Sequence, residues 1–149
     1  MRTVATFESR EFNLTEHREY FINEGGFGDD LGRWLIGKLR AVGADTAAEP
    51  GQEDFGWYVD YTIDDQPFCA VIGNAGGEFW FVVVERKAGF PGSMFGGRRR
   101  NIPESGVTRL HEILSSSAEV SNLQWHHWDS FKRGGASAFA FGSPQPSAP

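Results

Sequence analysis

Residues 55–63 leave this chain few folds to choose from. Phe55, Trp57, Val59, Tyr61 and Ile63 stand at alternate positions, with Gly56, Tyr58, Asp60 and Thr62 between them. That is the period-two pattern of a strand with one face against a core. Asp64-Asp65-Gln66 breaks the pattern with residues that hydrogen-bond their own backbone, and Pro67 opens the next strand, where a first-position proline loses little. The two strands therefore read as a hairpin. Pro67–Gly73 is a short apolar run, Asn74-Ala75-Gly76-Gly77 accepts positive φ, and Glu78–Arg86 carries Phe-Trp-Phe-Val-Val-Val between charged ends. Phe79, Phe81 and Val83 of this third strand point one way and Trp80, Val82 and Val84 the other, so it requires cover on both faces or an interior place in the sheet.

A chain of 149 residues that is 40% hydrophobic has the length of one domain and enough apolar surface for a core. Its single cysteine, Cys69, lies in the second strand and reads as an inert core thiol. The first ten residues lack the apolar run of a signal peptide, and no later stretch reaches the length of a membrane span, which points to a soluble, cytoplasmic protein. The net charge of −6 is unevenly placed. Residues 1–65 hold 14 acidic against 6 basic side chains, while residues 66–149 hold 6 acidic and 8 basic. An acidic surface disfavours nucleic acid and anionic membrane and suits a basic protein partner.

The flanking segments supply edges and helices. Residues 2–8 read as an edge strand, and Thr15 as the cap of a short helix. Asp29 or Asp30 caps a longer helix whose Leu31, Trp34, Leu35, Leu39 and Val42 form one apolar stripe and which Gly43 stops. Gly25-Gly26-Phe27-Gly28 superficially resembles a phosphate loop, but Asp29 and Asp30 would repel phosphate from the helix dipole. Residues 44–54 read as a solvated acidic loop. Asn101 caps a second helix with Pro103 in its first turn and Val107, Leu110 and Leu114 on its stripe. Val120–Phe131 reads as a last strand on which Leu123, Trp125 and His127 share one face and His126 takes the other, a spacing that cannot hold one metal. Ala88–Arg100 combines glycines, Phe90, Met94, Phe95 and three arginines, the composition of a contact loop.

These features predict a single α+β domain over residues 1–133: a mostly antiparallel sheet of three to five strands covered on one face by two amphipathic helices. Residues 134–149, rich in Gly, Ala, Ser and Pro, read as a disordered tail. The functional expectation is a small, acidic, non-catalytic protein-binding module of the immunity-protein or adaptor kind, with no cofactor and no metal. Glu49, Glu53, Asp54, Asp64 and Asp65 form its acidic patch, and Phe90, Phe95, Arg98 and Arg99 its anchors. Two alternatives stand beside it. One is a small hydrolase pairing His126 or His127 with Asp54 or Glu85; the other is a structural subunit whose tail, with Phe139 and Phe141, docks on a neighbour.

Overall fold

The computed structural model of the chain describes residues 1–22, 26–87 and 99–145. The long alternating runs become the three central strands, β4 (Gly56–Ile63), β5 (Gln66–Gly76) and β6 (Phe79–Arg86). They pair antiparallel with Trp57 opposite Ile72 and Val71 opposite Val83. Asp64 and Asp65 make the β4–β5 turn at φ 51° and 62°. Both values lie in the left-handed region that a tight hairpin needs and that Asp adopts more readily than most residues.

The fold is α+β, and among the described residues its antiparallel sheet has seven strands rather than the expected three to five. The expected flanking strands form as β1 (Val4–Glu8) and β7 (Ser121–His126), and two unexpected short ones, β2 (Asp45–Thr46) and β3 (Gly51–Glu53), make the difference. The order is β2-β4-β5-β6-β1-β7, with β3 also paired to β4. Residues 44–54 are therefore partly sheet and not only loop; two- and three-residue strands are too short for alternation to reveal them. β1 is not an edge strand, because β7 pairs with its outer side.

Two helices lie near their expected positions, α1 at Asp29–Ala41 and α2 at Glu104–Ser116. Their caps differ. Gly28, at φ 133°, occupies the N-cap of α1, so Asp29 and Asp30 fall in its first turn. Asn101 precedes Pro103, which takes the N-cap of α2. No helix forms at Thr15; instead the Asn13 carboxamide accepts hydrogen bonds from the backbone N–H groups of Thr15 and Glu16 and satisfies the chain locally. The expected last strand stops at His126, and Trp128–Gly134 forms a third helix, α3.

One face of the sheet is closed. Trp57, Val59, Tyr61, Phe68, Ala70, Ile72, Trp80, Val82 and Val84 are all buried there. They share a single apolar cluster with Leu31, Leu35 and Leu39 of α1 and Val107, Leu110 and Leu114 of α2. Contact is close enough that a Cβ on Gly106 would lie 2.4 Å from the Phe68 ring. The Tyr61 hydroxyl donates to the Gly106 carbonyl at 3.1 Å, which gives this buried polar tip a partner.

Past α3 a 3-10 turn over Gly135–Ser137 sends the chain back along β7, where Phe141 exchanges two backbone hydrogen bonds with Trp125. Arg2, itself buried, holds this segment: its Nη1 donates to the carbonyls of Ser143 and Gln145, and its guanidinium lies 3.3 Å from the centre of the Phe141 ring. Asn122, at φ 51°, marks a bulge in the β1–β7 pairing. The bulge and the returning segment interrupt the outer edge of β7, which keeps it from templating another strand. No helix among the described residues is long and apolar enough to cross a membrane.

Candidate functional site

The opposite face of the sheet carries a half-open cleft of about 680 Å3. Its floor follows from the strand registers. One row runs Asp60, Cys69, Glu85 across β4, β5 and β6; the next runs Tyr58, Val71, Val83. A charged row thus lies beside an apolar one, about 7 Å along the strands. Cys69 lies on this floor, half-buried, rather than in the core as the sequence suggested, because its register sets it on the face opposite Phe68 and Ala70.

Two aromatic rings are seated by glycines. A Cβ on Gly73 would come within 2.2 Å of the Phe81 ring, and one on Gly51 within 2.1 Å of the Tyr58 ring, so each ring lies flat over a strand position that carries no side chain. α3 builds the wall: Phe131 stands 5.3 Å from Phe81, and Trp128 lies beneath the Arg99 guanidinium at 4.3 Å. The charged row is paired internally, Glu85 with Arg99 at 3.1 Å and Asp60 with Lys87 at 3.8 Å. At the other end of the cleft Glu53 and Phe55 line the mouth, Phe55 at 59% exposure. Burial, then Asp60, Glu53 and Cys69, push the Tyr58 hydroxyl above its ordinary pKa, in keeping with a locally acidic mouth.

The residues singled out from sequence fall in separate places. Glu53 and Asp54 sit together at the β3–β4 turn, both exposed, flanking a smaller pocket of about 220 Å3 that includes Phe55. Asp64 and Asp65 occupy the opposite end of β4, roughly 25 Å away at about 3.3 Å per residue, and serve the hairpin turn. Glu49 is engaged by Arg33 at 2.9 Å. Arg99 lies on the cleft. Phe90, Phe95 and Arg98 lie outside the described residues.

His126 and His127 part company. His126 is fully buried, and its Nε2 lies 2.7 Å from Thr6 Oγ1. Burial pushes its pKa down, partly offset by the backbone at Phe139 and Ala138. His127 is exposed at the start of α3, and its pKa is lowered by desolvation and then by the N-terminal ammonium and Arg2. Glu85 is on the cleft floor and Asp54 at the β3–β4 turn. No group of three or more metal-ligating side chains occurs among the described residues.

A second cluster lies at the start of α1. Asp29, with no exposed surface, accepts from Tyr20 and pairs with Arg33 at 3.1 Å and Arg18 at 3.4 Å. It ties the segment before α1 to the helix. The residues that sequence reasoning missed are outer-face members of the central strands, above all Tyr58, Asp60 and Phe81, together with Trp128 and Phe131; Glu85 was named only as a carboxylate partner for a histidine. Their signal was present as the second parity of each alternating run.

Fold and site together define an α+β protein with an amphipathic cleft on one sheet face. No known protein family matches the sequence, and neither a curated protein nor a solved structure shows detectable similarity to it.

Proposed function

We propose that the chain is a non-catalytic protein-binding module, immunity-protein-like or adaptor-like, that docks a basic partner on the outer face of its sheet. The observation that carries this reading is the cleft with its mouth: aromatic and aliphatic side chains over the floor, an exposed Phe55, and exposed carboxylates at Glu53 and Asp54 beside it. Apolar area flanked by unlike charge is the composition of a contact surface, where aromatic anchors supply affinity and rim charges supply orientation and encounter rate. The partner that fits presents an apolar side chain to the cleft and basic residues to the β3–β4 turn. The net charge of −6 favours that partner over a second copy of the same chain.

The test is native mass spectrometry of the untagged protein purified gently from its own host, repeated on two charge-reversed variants. Glu53→Lys with Asp54→Lys is expected to lower partner retention about tenfold or more, whereas Asp64→Lys with Asp65→Lys leaves it unchanged. Equal retention by both variants, or a bare monomer from the wild type, would remove the reading.

A further inference from the structure

Glu85 is an unusual residue for a contact face. It is 5% exposed on a central strand, and a carboxylate in such a place needs a cation beside it. The cation is supplied from outside the sheet: Arg99, on a side chain 37% exposed, reaches in so that Nη2 meets Glu85 Oε1 at 3.1 Å while the guanidinium carbon stands 4.3 Å from the Trp128 ring centre.

The two members of this pair are held differently. Glu85 is fixed by the ladder, with Cys69 opposite it on β5. Arg99 reaches these two contacts at the end of a long, rotatable stem. Exchange is therefore one-sided: the carboxylate and the indole stay, and the guanidinium is the part that can leave. If another guanidinium takes its place, Glu85 keeps its ion pair and Trp128 its stacked cation, so the swap leaves no buried charge unmatched. An ammonium restores the charge but not the planar stack or the fork of donors.

We propose that Glu85 and Trp128 form a guanidinium pocket, occupied by Arg99 in the isolated chain and by an arginine of the basic partner in the complex. This rests on the protein-docking reading and deepens it: the partner's anchor at the charged row is an arginine, adjacent to the apolar group that enters the Tyr58–Val71–Val83 row. Lys87 on Asp60, at 3.8 Å, holds the neighbouring place in that row with a looser, single contact.

The test empties the pocket and offers it a probe. Arg99→Ala is titrated with Nα-acetyl-arginine amide and with the lysine analogue, by calorimetry and by the alkylation rate of Cys69, the only cysteine and the cross-strand neighbour of Glu85. The variant is expected to bind the arginine probe about tenfold more tightly than wild type does, and about tenfold more tightly than it binds the lysine probe, with slowed alkylation of Cys69. Adding Glu85→Gln is expected to abolish the gain. Should Arg99→Ala not fold, Arg99→Lys keeps a charge on Glu85 while giving up the stack, and is expected to show a smaller gain in the same titration. A folded variant that binds the arginine probe no better than wild type, or no better than the lysine probe, overturns the pocket and leaves the docking reading standing. Failure of the docking reading shows differently, as no partner retained while probe binding is unchanged.

Discussion

The two faces of this sheet are built from the same three strands and have opposite characters. On the inner face Phe68, Ala70, Ile72, Trp80, Val82 and Val84 have no exposed surface and share one cluster with the leucines of α1 and α2. On the outer face the intervening residues include a half-buried Phe81, a Phe79 that is 47% exposed and a Glu85 held by an ion pair. The inner-face residues share their cluster with side chains from two thirteen-residue helices. Among the described residues the outer face has the seven-residue α3 and single side chains over it, and a cleft lies between them. The difference divides the residues of the same strands: the inner-face set is buried in the core, and the outer-face set lines the cleft.

That contrast is open to direct attack. The largest effect expected is at Trp80, where Trp80→Ala should lower unfolding free energy by about 3–5 kcal/mol in urea titration, against a smaller loss for Phe81→Ala on the next residue. Equal losses would show that the outer face is core as well. Next, Gly73→Val places a branched side chain where the Phe81 ring lies, and should cost about 1–3 kcal/mol while closing part of the cleft, seen as slower alkylation of Cys69.

Acidification is the third test. Burial lowers the pKa of His126 in the folded protein below the 6.5 of an unfolded histidine, so between those values the unfolded chain binds more protons. Its contribution is present above about pH 6.5 and is lost as pH falls below it. His111 and His127 shift in the same direction. Melting temperature should therefore fall from pH 7.5 to 5, and His126→Gln, which keeps a hydrogen bond to Thr6, should flatten part of that fall. A smaller effect is expected at Phe55, where Phe55→Ser should change stability by no more than about 0.5 kcal/mol yet reduce partner retention. Smallest of all, Asp64→Asn with Asp65→Gly should raise stability by a few tenths of a kcal/mol, because both positions have positive φ.

Much of the inner face could be read from the sequence. Trp57, Val59, Tyr61 and Ile63 alternate cleanly, and Leu31, Leu35 and Leu39 repeat at helical spacing, so both patterns name the residues that meet in the core. β2 and β3 carry no such pattern, since pairing with β4 and not their own composition makes them strands. α3 was missed for a related reason: Trp125, His126, His127 and Trp128 run on without a turn signal, and the change from strand to helix occurs at an ordinary extended residue, His127. The candidate site was legible only in part. Glu53 and Asp54 were singled out in a patch defined by charge, Arg99 as an anchor of a contact loop, and Glu85 as a partner for a histidine. The cleft itself depends on which side chains share a row across three strands, a property of register that no single strand displays.

The strand order also sets a schedule. β1 precedes the other described strands in the chain, yet it lies between β6 and β7, and its Thr6 meets His126 across 120 positions of chain. At about 5–20 residues per second a ribosome takes roughly 6–24 s to cover that distance. Until β6 emerges Val4, Ala5 and Phe7 have no sheet to join, and the other side of β1 waits further for β7, while the β4–β5–β6 meander, whose partners are neighbours in sequence, is free to form as it emerges. The newborn protein thus passes through a stage in which its central hairpins are complete and β1 still lacks β7, so an agent that holds β1 during synthesis would delay completion of the sheet without touching either of its faces.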